Sequence, residues 1–294
     1  MSEKPLIDKA FLAKLERLAI HWQKSLPGLV GGHAASRYAG PGQEFLDHRH
    51  FHYGDDLRSV NWRAYLRFEK LFMKMFQLEP RVPVRLCLDV SLSMTTGRGA
   101  KFDYARRLGA ALCYVGLVRL DTITILPFHD QLGDAVVCSG GRHRFGPAAE
   151  FLSALRPTGQ TRFAEVVRQF TSRYGQRGLA IVISDFLGED GFDRPLELLT
   201  SFGHELFLIQ VWDEEDREPP WKGRLELEDA ESGGLLDLEF DAAAKRRYTE
   251  AFDDYCRALQ RVAVSAGGRY AGLATSQPLE EAVFGPLARV GGVQ

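Results

Sequence analysis

From Arg81 onward the sequence repeats one rhythm, a short and almost wholly apolar run followed by a longer amphipathic one. "VRLCLDV", "DTITILPF", "LAIVISDF" and "HELFLIQVW" read as strands. "KFDYARRLGAALCYVGLVRL", "TRFAEVVRQFTSRYG" and "FDRPLELLTSFG" read as the helices between them. Strands that are apolar on both faces must be covered on both faces, and the intervening helices supply that cover. The predicted fold is therefore α/β, a doubly wound and mostly parallel sheet with helices on both sides. "DAVVCS" predicts a short hairpin strand. After Trp212 the rhythm breaks at "DEEDREPPWKGRLELEDAESGGLLDLEF", where turn residues around two short strands predict an exposed β-hairpin insertion. A long helix over Ala242 to Ala266, a strand near "RYAGLAT" and a terminal helical segment close the chain.

The region before this rhythm differs, which divides the chain into residues 1–80 and a sheet domain over 81–294. "MSEKPLIDKAFLAKLERLAIHW" predicts an amphipathic helix, and its interspersed charges exclude a secretory signal. Pro27 to Gly42 is a Gly-rich loop, and "KLFMKMFQLE" alternates as a half-buried strand does. The longest apolar run, "LGAALCYVGLV", spans 11 residues bounded by arginines, too short to cross a bilayer. The expectation is a cytoplasmic protein with no membrane span. A formal charge of −2 argues against general nucleic-acid binding. The four cysteines are widely spaced and form no CxxC pair; three lie in apolar runs, as reduced core cysteines do.

In a doubly wound sheet, ligands bind beyond the carboxyl ends of the strands. The first strand there delivers Asp89, Ser91 and Ser93, and "LAIVIS" delivers Asp185. "PTGQTRFAEVV" places Thr161 at the start of a helix, with Thr158 as the competing position in the same loop. All five groups are oxygen donors. Hard cations such as Mg²⁺ take oxygen ligands in octahedral geometry, whereas zinc prefers nitrogen or sulfur. The expected metal is Mg²⁺, with Mn²⁺ or Ca²⁺ as alternatives. The plainer roles for the same residues are a strand-end turn at Asp89 to Ser93, and helix caps at Asp185 and Thr161.

Other constellations point elsewhere. His48, His50 and His52 alternate and would share one face of a strand, but no further ligand set stands near them in the sequence. Arg49, Arg58, Arg63, Arg67 and Lys70 are interleaved with Asp47, Asp55, Asp56 and Glu69, which favours internal ion pairs over phosphate binding. Ser91 stands where a haloacid-dehalogenase-type phosphatase needs its second aspartate. No phosphate-loop spacing, nucleophile elbow or dinucleotide fingerprint is present.

Asp89-Val90-Ser91-Leu92-Ser93 with Thr161 and Asp185 resembles the metal-ion-dependent adhesion site of von Willebrand factor A domains. That resemblance implies Ser91, Ser93 and Thr161 as metal contacts and Asp89 and Asp185 as direct or water-mediated ones. It also implies an open position that takes a carboxylate from a partner protein. Glu44-Phe45, Arg49, Gly54-Asp55-Asp56, Arg58, Trp62, Arg67, Lys74 and Glu79 are similar to the signature of the bacterial family called domain of unknown function 58. Asn61 stands where that family usually has Asp. This second resemblance implies a protein often encoded beside MoxR-type AAA ATPases and working with them in maturing or remodelling other proteins. The expected function is a non-enzymatic, metal-dependent protein-interaction module. Its partner, a MoxR-type ATPase or its client, would offer an Asp or Glu. The alternatives are a metal-dependent hydrolase and a structural adaptor with a vestigial metal site.

Overall fold

The computed structural model describes residues 5–22, 44–52, 60–77, 83–97, 99–188 and 191–291. Its centre is a six-stranded sheet built from β3 (Val84–Asp89), β4 (Ile123–Phe128), β5 (Val136–Cys138), β6 (Leu179–Ser184), β7 (Glu205–Trp212) and β10 (Arg269–Ala274). The order is β10-β7-β6-β3-β4-β5, parallel throughout except for the antiparallel edge strand β5. The predicted α/β architecture is the one observed.

The apolar runs form strands because both of their faces are covered. Cys87, Leu126, Phe128, Ala180, Val182, Leu206 and Leu208 point to one side. There they meet Phe163, Val166 and Phe170 of the helix Phe163–Arg173, Leu196 and Leu199 of Asp193–Ser201, and Leu259 of Ala242–Ser265. Their neighbours in the strands face the opposite side, as a two-residue period requires. The helix Ala100–Val118 packs there, with Gly109 against Leu86 and Ile183. A Cβ on Gly116 of that helix would lie 2.4 Å from the Ile123 side chain, so the glycine permits the close approach.

The chain leaves β3 for β4 on one side and later returns to place β6 on the other. The segment after β3 leads to the helix Ala100–Val118, and the segment after β6 leads to Asp193–Ser201 on the opposite face. The two segments diverge and open a crevice above the carboxyl ends of β3 and β6.

β8 (Gly223–Glu228) and β9 (Leu235–Phe240) form the expected antiparallel hairpin. A helix over Phe145–Ala154 was not predicted. All four cysteines are free, and Cys87, Cys113 and Cys138 are buried. Among the described residues no helix is long and apolar enough to cross a membrane.

The chain divides into two compact units, residues 27–81 and the remainder. In the smaller unit, β1 (Glu44–His50) pairs antiparallel with β2 (Phe72–Gln77), and a helix spans Trp62–Phe68. The Gly-rich loop, Gly54-Asp55-Asp56, Arg58 and Glu79 lie outside the described residues. The opening helix, Lys9–Trp22, belongs to the larger unit, although a division at residue 80 groups it with the smaller one. Glu16 explains the docking, since it accepts hydrogen bonds from Tyr114 Oη and from Arg142, each at 2.7 Å. Leu15 beside it is fully buried. Leu15→Ala should therefore cost about 3 kcal/mol of unfolding free energy in a urea titration. A loss below about 0.5 kcal/mol, typical of a surface change, would detach this helix from the core.

Candidate functional site

Asp89 ends β3, a strand with partners on both sides, and its side chain is 0% exposed. Such a carboxylate must be solvated by protein donors. The turn that follows supplies the first, as Ser91 N donates to Asp89 Oδ1 at 2.9 Å. β6 supplies the second across the ladder, as Ser184 Oγ donates to Asp89 Oδ2 at 2.5 Å. Thr161 Oγ1 lies 3.4 Å from the same oxygen. Among the described residues Asp89 forms no ion pair.

Leu92 to Thr95 wind into a single 3₁₀ turn, which brings Ser91 Oγ and Ser93 Oγ within 2.9 Å of each other. Ser93 Oγ also reaches Asp185 Oδ1 at 3.4 Å. The loop before the helix Phe163–Arg173 is sewn to this turn by Thr158 N on Val90 O (2.6 Å) and Leu92 N on Gly159 O (3.0 Å). Gly159 has φ +70°, and a Cβ there would press on the His129 ring at 2.8 Å. That conformation carries Thr161 into the crevice and leaves Thr158 exposed. All five residues singled out in the sequence thus meet at one buried place.

Asp185 does not cap a helix, since the next one begins at Asp193. Its Oδ1 accepts the Leu187 N–H at 3.1 Å, and its backbone carbonyl accepts Gln210 Nε2 at 3.2 Å. Phe186 adopts φ +57°, a left-handed conformation that costs a non-glycine residue on the order of 1–3 kcal/mol. It is held there by Ser184 Oγ, which accepts its N–H at 2.8 Å, and by Tyr255, whose hydroxyl donates to its carbonyl.

Lys101 was not anticipated in the sequence. Its side chain is 0% exposed, and its Nζ lies 2.9 Å from Asp185 Oδ2 and 3.1 Å from Asp216 Oδ2. Burial works against the ammonium, but these two acids outweigh it and hold the Lys101 pKa above the usual lysine value. Asp216 is positioned by a capping box with Asp213 at the short helix Glu214–Arg217. Asp89 has no such compensation. Burial first, and the nearby Asp185 second, push its pKa up to about 7. Glu231, from the β8–β9 hairpin, was also missed; it accepts the Thr161 N–H at 3.0 Å. An isolated acid in an exposed-looking turn and a lysine in the first turn of a helix carry no sequence signal that separates them from solvent-facing charges.

The family described as protein of unknown function DUF58 matches residues 47–257. The chain belongs to that family. An uncharacterized protein of Mycobacterium tuberculosis is 27% identical over 256 residues, which cover 85% of this chain and 78% of that one. An uncharacterized protein of Mycobacterium avium is 38% identical over 76 residues, 26% of this chain and 44% of that one. Solved structures similar to it include the conserved hypothetical protein BatB from Bacteroides thetaiotaomicron, at 19% identity and a TM-score of 0.43, covering 72% of this chain and 99% of that one. The SpRpn10 VWA domain is 12% identical with a TM-score of 0.37, covering 69% and 93%. In this DUF58 protein the fold assignment rests on its own sheet order and helix placement.

Within the smaller unit His50 stacks on Phe72 with ring centroids 4.8 Å apart, and the His48 side chain lies outside the described residues. Among the described residues no group of three or more His, Cys, Asp or Glu side chains is arranged to hold a metal ion. Any cation at the strand ends would therefore depend on the hydroxyls.

The raised pKa of Asp89 has a defined consequence for the metal-free protein. Its folded value, about 7, lies above the unfolded value, so its stabilising contribution is complete in acid and lost as pH rises through that interval. With a chelator present, Asp89→Asn should stabilise the protein by about 2–4 kcal/mol at pH 8. The gain should vanish near pH 4. Urea denaturation at both pH values tests this, and a pH-independent difference would contradict it.

Proposed function

We propose that this DUF58 protein is a metal-dependent protein-interaction module whose strand-end site holds Mg²⁺ and docks an acidic side chain of a partner. The observation that carries the proposal is Asp89, a fully buried carboxylate with no ion pair among the described residues and ringed by hydroxyls. Lys101 is shared between Asp185 and Asp216, so carboxylates outnumber the ammonium in this crevice. A buried excess of negative charge is relieved by a cation.

The oxygen spacing fits the same ion. An octahedral Mg²⁺ with oxygens about 2 Å away has neighbouring ligand oxygens about 3 Å apart. Ser91 Oγ and Ser93 Oγ are 2.9 Å apart, Ser93 Oγ and Asp185 Oδ1 3.4 Å, and Thr161 Oγ1 and Asp89 Oδ2 3.4 Å. Mn²⁺ or Ca²⁺ would use the same donors. When bound, the ion supplies positive charge and a coordination position for an incoming carboxylate. Ser91, Ser93 and Thr161 would hold it through neutral oxygens, which leaves its charge less quenched than an all-carboxylate cage would. Asp89 and Asp185 would hold it directly or through water. Lys101 positions Asp185 by taking Oδ2 and leaving Oδ1 toward Ser93.

The partner is then a protein that presents Asp or Glu on an accessible loop. The family resemblance suggests a MoxR-type AAA ATPase or a client of one, acting in protein maturation or remodelling inside the cytoplasm.

Isothermal titration with Mg²⁺ and thermal unfolding with and without it test the metal step. Binding to the native state should raise the unfolding midpoint, with a stabilisation of about 2.7 kcal/mol at one hundred times the dissociation constant. Asp89→Asn should weaken Mg²⁺ binding by about tenfold or more. Absence of binding to the wild-type chain, or equal binding to the variant, would refute the metal reading.

A further inference from the structure

The β8–β9 hairpin packs on the domain at its base, where Phe240 is buried against Trp221 and Tyr248, and its tip is exposed except at one side chain. Residues 228–230 and 232–236 are exposed, whereas Glu231 between them is half-buried. The tip is shaped by Asp229, whose Oδ1 accepts the N–H of Glu231 at 3.0 Å, the N–H of Ser232 at 2.6 Å and the Ser232 hydroxyl at 2.8 Å. Gly233, at φ +70°, completes the turn by donating its N–H to Asp229 O at 2.9 Å. This tight loop sends Glu231 back toward the strand ends.

Both carboxylate oxygens of Glu231 then land on Thr161. Oε2 accepts the backbone N–H at 3.0 Å, and Oε1 lies 3.4 Å from the hydroxyl. Gln160 Nε2 donates to the Glu231 carbonyl at 2.7 Å, fixing the tip from the other side. The spacing between Glu231 Oε1 and Thr161 Oγ1 equals that between Thr161 Oγ1 and Asp89 Oδ2, 3.4 Å in each case. Thr161 is thus flanked by the buried acid of the site on one side and by a carboxylate of a surface hairpin on the other. The Thr161 hydroxyl carries one proton and can donate to only one of these two carboxylate oxygens, so a cation held at Oγ1 would answer the other.

We infer that Glu231 is an internal ligand of the docking site: the hairpin tip holds in cis the carboxylate position that a partner's acidic side chain would take. The inference rests on the metal-dependent docking reading above. A tethered ligand acts at an effective concentration on the order of millimolar. The hairpin therefore keeps free acids and weakly matched proteins out, and admits a partner whose additional contacts outcompete the tether. Partner docking and hairpin release are then one event.

The test uses the full chain as wild type, Glu231→Ala and, as a control on the same hairpin, Glu228→Ala. Amide hydrogen exchange in Mg²⁺ reads the clasp, and Mn²⁺ titration followed by electron paramagnetic resonance reads the ligand. In Glu231→Ala the Thr161 amide and the amides of residues 229–234 should exchange about tenfold faster, with β3 and β6 unchanged. Its Mn²⁺ dissociation constant should rise by about three- to tenfold. Glu228→Ala should match the wild type in both. Faster exchange with unchanged or tighter Mn²⁺ binding would make Glu231 a mere clasp and overturn the inference while the metal reading stands. Unchanged exchange and unchanged affinity would overturn it equally. Failure of the wild type itself to bind Mn²⁺ would remove the metal reading and this inference together.

Discussion

Burial of the Asp89 carboxylate at the end of β3 is the constraint to which the surrounding backbone answers. A charge that has lost water needs donors from every side, and each donor here demands a particular turn. Ser91 N is supplied by the bend into the 3₁₀ turn, and Ser184 Oγ by the register that sets β6 beside β3. The left-handed Phe186 follows, because Ser184 Oγ must also accept its N–H. Thr161 arrives because the loop before its helix is tied to the β3 turn at Val90 and Leu92.

The crevice contains two polar clusters with different balance. Buried Lys101 and Asp185 and the partly exposed Asp216 form a trio in which one ammonium answers two carboxylates directly. That trio joins the helix Ala100–Val118 to the segments after β6 and β7, and it holds the framework. Around Asp89 the donors are hydroxyls and one amide, without a cation. The hairpin adds a further carboxylate to this second cluster instead of a base, which increases the imbalance.

Much of the frame was legible because its signals are local. "VRLCLD", "ITILPF", "LAIVIS" and "ELFLIQVW" are apolar on both faces, and only a covered parallel sheet accommodates that. The position of Asp89, Ser91, Ser93 and Asp185 follows once strand ends are known, since side chains just past a strand have little freedom. Thr161 was legible only as one of two threonines, and the choice fell to a left-handed Gly159 that turns the loop inward. The helices Trp62–Phe68 and Phe145–Ala154 were not legible, being short and weakly patterned. The packing of Lys9–Trp22 on the larger unit was hidden as well, because an amphipathic stripe says that a helix docks but not where.

Legible in the chain alone were the alternation of strands and helices, the parallel sheet, and the delivery of Asp89, Ser91, Ser93 and Asp185 to its carboxyl edge. Those properties depend on residues close together in the chain, or on the one rule that ligands gather where strand connections diverge. The electrostatics of the site arise from its folded surroundings. Lys101 lies 84 residues from Asp185 and Glu231 lies 70 from Thr161, and each looks like an ordinary surface charge until the fold removes its water or sets it against a buried partner. Desolvation and charge pairing are properties of three-dimensional surroundings, and no linear pattern of residue types contains them.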